Sequence, residues 1–175
     1  MRKTLAAALF AAFAACALAA APSRQDVLGA ITILERNATS PEAVAAAKTI
    51  VNYAQDSDDV MVDIGPDQIP WVEERWGLDK ERELSYQSIL LAAFVAGNVR
   101  SQIKNERAED DTYSGWIFAI RTYDRLRAKA PFHSASIEQL SRMESEGTLR
   151  QHAKELRDKA DKPDEGAATE RKPLA

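Results

Sequence analysis

Apolar residues recur three and four positions apart through most of this chain, the repeat of helices buried on one side. From Arg24 to Arg36 the apolar face reads Val27, Leu28, Ile31 and Leu34. Asn37 to Ser40 interrupts the repeat, and Pro41 stands where a first helical turn accepts proline. Either Thr39 and Glu42 form a capping box there or Ser40 caps alone. The next helix runs to about Ala54 and is expected to turn Val44, Ala47, Val51 and Ala54 inward.

Between Asp56 and Ile69 the period changes to two: Val60, Val62 and Ile64 alternate with Met61 and Asp63, and Gly65-Pro66 closes the run. A lone short strand has no sequence neighbour to pair with, so an ordered extended connection is expected. Pro70 then opens a short helix carrying Trp71 and Trp76, with Gly77 ending it. Asp79 caps the longest helix, which reaches about Asn105. Its middle, Ile89 to Gly97, is apolar on every side, as in a helix surrounded by others. Those nine residues fall well short of the roughly 20 that cross a bilayer.

Asp110-Asp111-Thr112 supplies the next N-cap, for a helix to about Lys129 that buries Tyr113, Trp116, Ile117, Ile120 and Tyr123. Pro131 stops it. Ser136 with Gln139, and Thr148 with Gln151, read as capping boxes for the last two helices, separated by Gly147 in a left-handed turn. Six or seven helices on short links predict a single compact all-α domain over residues 22–160, an antiparallel or orthogonal bundle. No repeat of 33 to 47 residues stands out, although a degenerate helical-hairpin repeat fits the small-residue spacing. Residues 161–175 are polar and read as a disordered tail.

The first residues change the picture of where this domain works. Arg2 and Lys3 precede an unbroken apolar run from Leu5 to Ala15, and Ala17-Leu18-Ala19 offers the small residues of a signal-peptidase site. A signal peptide over residues 1–19, or as far as 21, predicts export to the periplasm or beyond the cell. Cleavage removes the single cysteine, Cys16, and two of the 23 basic residues, leaving 21 against 27 acidic ones, a net charge of −6. The mature chain then has no disulfide and no thiolate, so its core alone must stabilise it. A second reading uses Phe13-Ala14-Ala15-Cys16, which resembles a lipobox, with Cys16 lipidated and the domain anchored to a membrane.

Candidate chemistry is sparse. Asp56-Ser57-Asp58-Asp59 starts like a calcium loop, but Val60, Met61 and Asp67 stand where a ligand, the turn glycine and the bidentate glutamate belong. His133 and His152 lie on different elements without a spacing that ligates zinc. Ser114-Gly115 lacks a nucleophile-elbow context, and no glycine-rich loop cradles phosphate. The acidic balance disfavours nucleic acid. No cofactor or metal is therefore expected.

The most distinctive stretch surrounds the paired tryptophans. Placed five apart on a helix, Trp71 and Trp76 would diverge by about 140°. One could then face the core and the other a rim lined by Asp67, Glu73 and Glu74, a surface for a partner. The alternative is that both rings seal the junction between the extended segment and the long helix. Functionally, the sequence leads to an exported, non-catalytic helical domain that binds a protein, peptide or cell-envelope component. A small hydrolase using two of Glu73, Glu74, Glu81, Glu83, Asp110 and Asp111, and a lipoprotein anchored through Cys16, are the alternatives.

Overall fold

The computed structural model describes residues 22–160. The expected signal segment with Cys16 and the expected tail over 161–175 lie outside the described residues. Six α-helices and one 3-10 turn make up the described chain, and no strand occurs among them. The fold is the expected all-α bundle, with the 3-10 turn in place of a seventh helix.

Helix α1 (Arg24–Arg36) opens on a reciprocal capping box between Ser23 and Asp26. It buries Val27, Ala30, Ile31 and Leu34, whereas Leu28 is 37% exposed. At about 100° per residue, Leu28 lies off the arc that the other four share. Helix α2 (Pro41–Asp56) is capped by Ser40, whose Oγ accepts the Ala43 N–H at 3.2 Å. Its buried face is Ala43, Ala46, Ala47, Ile50, Val51 and Tyr53, while the expected Val44 is 63% exposed and Ala54 only half-buried. A stripe of alanines forms much of the inward face, because α2 packs against both α1 and α3.

The extended connection keeps its expected alternation: Val60 is buried and Val62 and Ile64 half-buried, while Met61 and Asp63 are exposed. Side chains take the place of a partner strand. Gln102 Oε1 accepts the Met61 N–H at 2.9 Å and its Nε2 donates to the Met61 carbonyl at 2.6 Å. Asp110 accepts the Asp63 N–H, and the Trp116 indole donates to the Gln68 carbonyl. Buried backbone groups must find partners, and here they find amides and carboxylates from neighbouring helices.

The helix expected from Pro70 to Gly77 is a 3-10 turn over Pro70–Glu73 alone, capped by Glu74. Beyond it Glu74 is extended, the chain has no regular structure through Trp76, and it turns at Gly77, whose φ is +74°. Helix α3 (Lys80–Asn105) starts at the Asp79 cap, is buried without a gap from Ile89 to Val99, and ends at Glu106 in the left-handed region. Asp111 caps helix α4 (Thr112–Arg127). Tyr113 and Ile117 are half-buried in it, while Trp116, Phe118, Ala119, Ile120, Tyr123 and Leu126 reach the core.

Helices α3 and α4 approach at two glycines. A Cβ on Gly97 would sit 2.2 Å from the Ser114 carbonyl oxygen, and one on Gly115 would meet the Phe94 ring at 2.7 Å. Helix α5 (Ala135–Ser145) is capped by Ser134 rather than Ser136, whose hydroxyl instead donates to Glu74. Gly147 adopts the expected left-handed turn before α6 (Leu149–Ala160). The expected Thr148 cap does not form: its hydroxyl donates back to the Met143 carbonyl. Helix α3 thus lies between α1, α2 and α4, and α4 carries α5 and α6.

Candidate functional site

The two tryptophans that mark the sequence belong to the interior. Trp71 is wholly buried edge-on to Phe94, and Trp76 packs against Phe132 with ring centres 5.0 Å apart. The extended backbone after Glu73 removes the helical divergence that would have aimed one ring outward. Glu74 holds this junction: its carboxylate accepts the Trp76 indole N–H, the Ser134 and Ser136 hydroxyls and the Ser136 backbone N–H. Partial burial pushes the Glu74 carboxyl up, but those donors outweigh it and hold the group below its ordinary range. Glu83 likewise accepts the Trp76 backbone N–H at 3.0 Å and pairs with Arg75. Asp67 and Glu73 are exposed. The proposed rim therefore brings together buried rings that seal a junction, one carboxylate saturated by donors, and two carboxylates in solvent.

A second group of carboxylates meets where α3 hands over to α4. Ser101, Gln102, Asn105, Arg107, Glu109, Asp110, Asp111 and Arg157 line a depression of about 170 Å³. Its floor is a closed polar network. Asp110 receives the Asp63 N–H, the Asn98 amide, and the Thr112 N–H and hydroxyl. Asn98 Oδ1 in turn accepts from Gln102 and from the Asp111 N–H. Asp111 receives the Ser101 and Ser114 hydroxyls and the Ser114 N–H. Burial raises the Asp111 carboxyl, yet those donors and the charge of Arg150 hold it below the ordinary range. A general acid needs the opposite displacement. Glu109 is paired with both Arg107 and Arg157.

The histidines serve separate contacts. His133 Nδ1 lies 3.0 Å from Glu138 Oε1, which also accepts the Tyr123 hydroxyl at 2.7 Å. Burial and the Glu138 carboxylate together push the Tyr123 hydroxyl up to about 12. His152 stacks on Trp116 with ring centres 5.3 Å apart. Among the described residues no group of three or more His, Cys, Asp or Glu is placed to hold a metal ion. In the acidic stretch at 56–59, Asp59 is used by Arg24 and the Tyr53 hydroxyl.

A different surface carries charge that the fold leaves unmet. Arg36, Asn37, Ala38, Thr39, Arg125, Leu126, Ala128 and Lys129 line a half-open depression of about 270 Å³, where the C-terminal ends of α1 and α4 come together. Ala38 and Leu126 close its apolar floor almost wholly buried, and Ala128 is the exposed apolar residue of the lining. Lys129 Nζ donates to Asn37 Oδ1 at 3.1 Å and to the Thr39 hydroxyl, both neutral acceptors. Neither Arg36 nor Arg125 forms an ion pair within the described residues, in contrast to Arg100 with Glu35 and Arg127 with Glu138.

Sequence reasoning passed over this surface, since its two halves lie some 90 residues apart and each reads as ordinary last-turn cations. Comparison of the chain with protein-family models, with curated proteins and with solved structures returned no match.

Proposed function

We propose that this chain is an exported, non-catalytic helical domain that binds a protein, peptide or envelope component. Its contact face is the depression between residues 36–39 and 125–129. The observation that carries the reading is the set of cations around an apolar floor, Arg36, Arg125 and Lys129, none of them neutralised by a carboxylate. Such a site offers charge for specificity and apolar area for affinity, the usual division at a binding pocket. Of the carboxylates weighed for hydrolysis, by contrast, Glu74 and Asp111 are held by donors that favour their ionised form.

Export rests on the N-terminal pattern of Arg2, Lys3, the apolar run and the Ala17-Leu18-Ala19 triplet. No helix among the described residues is long and apolar enough to cross a membrane. The test is in-cell crosslinking followed by capture from the envelope and periplasmic fractions, comparing the native chain with Arg36→Glu/Arg125→Glu/Lys129→Glu. A defined partner captured by the native chain and lost from the triple variant supports the proposal. Capture of no partner, with the chain found in the cytoplasm, overturns it.

A further inference from the structure

The balance of charge at this depression points to a more specific ligand. Cations in the last turn of a helix are commonly explained by the helix dipole, which places about −0.5 of a charge at each C-terminus. Two such ends, those of α1 and α4, contribute about −1 here. Arg36, Arg125 and Lys129 contribute three positive charges. The dipoles therefore account for a minority of the cationic charge on the lining residues, among which no carboxylate stands.

The ammonium of Lys129 is also held in place. Asn37 and Thr39 take two of its protons without reducing its charge, so it meets an anion already positioned. Asn37 itself is fixed by accepting the Thr39 hydroxyl at 3.0 Å. Arg36 and Arg125 line the same depression, and guanidinium pairs with planar carboxylate through two parallel hydrogen bonds.

We infer that the depression receives an acidic side chain of a partner protein, with an adjoining apolar residue seated against the exposed Ala128. This rests on the binding-domain reading above and names its ligand chemistry. The volume, about 270 Å³, suits one or two side chains rather than an acyl chain. Net charge separates the two macromolecular sources of anions. A bilayer presents its charge across an area as wide as the domain, so it meets the whole chain, whose net charge is −4, or −6 without Arg2 and Lys3. A peptide carboxylate meets only what lies within a screening length, about 8 Å at physiological salt. The local excess of cations attracts the second while the acidic whole repels the first.

The test uses the protein purified from the compartment in which it accumulates, isotopically labelled and titrated with a blocked peptide of alternating glutamate and leucine. The same peptide with glutamine for glutamate is the reference. The glutamate peptide is expected to move the amide resonances of residues 36–39 and 125–129, more weakly as salt is raised. The glutamine peptide should leave them in place.

Arg36→Glu/Arg125→Glu/Lys129→Glu should weaken glutamate-peptide binding by about tenfold or more. The variant with Gln at the same three positions, folded by circular dichroism, should also lose binding. Three outcomes overturn the inference: equal binding of both peptides, resonance changes confined to another surface, or saturation of this surface by inorganic phosphate or by phosphatidylglycerol vesicles while the glutamate peptide leaves it unchanged. A captured partner that the triple variant still retains overturns both the inference and the contact face proposed above, and leaves a binding domain whose face lies elsewhere.

Discussion

Two polar regions of this molecule contrast in what they do with their charge. At the α3–α4 junction, Asp110, Asp111, Asn98 and Gln102 are buried or half-buried, and their hydrogen-bonding groups meet one another, the Ser101, Thr112 and Ser114 hydroxyls, or the backbone of residues 61, 63, 111, 112 and 114. At the ends of α1 and α4, Arg36, Arg125 and Lys129 stand exposed around an apolar floor, with no carboxylate among the lining residues. Buried polar groups must be satisfied from within, because an unmet one costs about 1–3 kcal/mol. Exposed cations carry no such demand, so their convergence is free to serve a partner. A saturated network therefore marks architecture, and unmet charge over apolar surface marks a binding face.

The contrast breaks most visibly at the glycine contact that holds the first region together. Gly97→Val drives a side chain into the Ser114 carbonyl and the Phe118 Cβ. A loss of about 3–4 kcal/mol in urea denaturation is expected, above the usual range for added core volume because one obstacle is backbone. Next in size is Asn98→Ala, which strips a donor from Asp110 and an acceptor from Gln102 and the Asp111 N–H. About 2–3 kcal/mol should be lost, and amide exchange should accelerate at residues 61 and 63 as the extended segment loosens.

Acid should produce a smaller effect with a definite sign. Glu74 and Asp111 both have carboxyl groups lowered in the folded state. Their contribution is therefore complete above the ordinary carboxylate range, near pH 5 and higher, and fades as pH falls through the depressed folded values. Denaturation midpoints measured from pH 7 to pH 3 should fall, and Glu74→Gln/Asp111→Asn should flatten the curve. An unchanged slope would mean that these donors do not hold the ionised forms.

The smallest effect on stability belongs to the second region. Arg36→Gln, Arg125→Gln and Lys129→Gln should each shift stability by about 1 kcal/mol or less, the contribution of a cation at a helix end. A larger loss in thermal denaturation would place these cations with the architecture and erase the contrast.

Much of the fold was legible because helix periodicity and caps are local. The α3 middle, Ile89 to Gly97, reads as a surrounded helix and is one, and Asp79, Asp111 and Gly147 stand where their helices begin or end. Local signals misled where an apolar residue competed with alanine for the inward face. Leu28 and Val44 are exposed while Ala30 and Ala43 are buried, because close helix packing selects small side chains. Ser136 looked like a cap by spacing, yet Ser134 caps and Ser136 is drawn to Glu74 across 62 residues.

The site was less legible than the fold. Trp71 and Trp76 signal a special place by their rarity, but whether a ring faces core or solvent depends on the backbone between them. That backbone leaves the helix after Glu73.

By itself the sequence determined an all-α chain, the order and approximate bounds of its helices, and an extended link before the long one. These follow from turn chemistry and from spacings within a few residues, where the physics is local. Only the tertiary structure decided which carboxylates are spent on hydrogen bonds, which tryptophan faces are covered, and which cations gather. Each of these depends on groups tens of residues apart. Lys129 meets Asn37 and Thr39 only because α4 ends where α1 ends, and nothing in either segment alone states that the two ends meet.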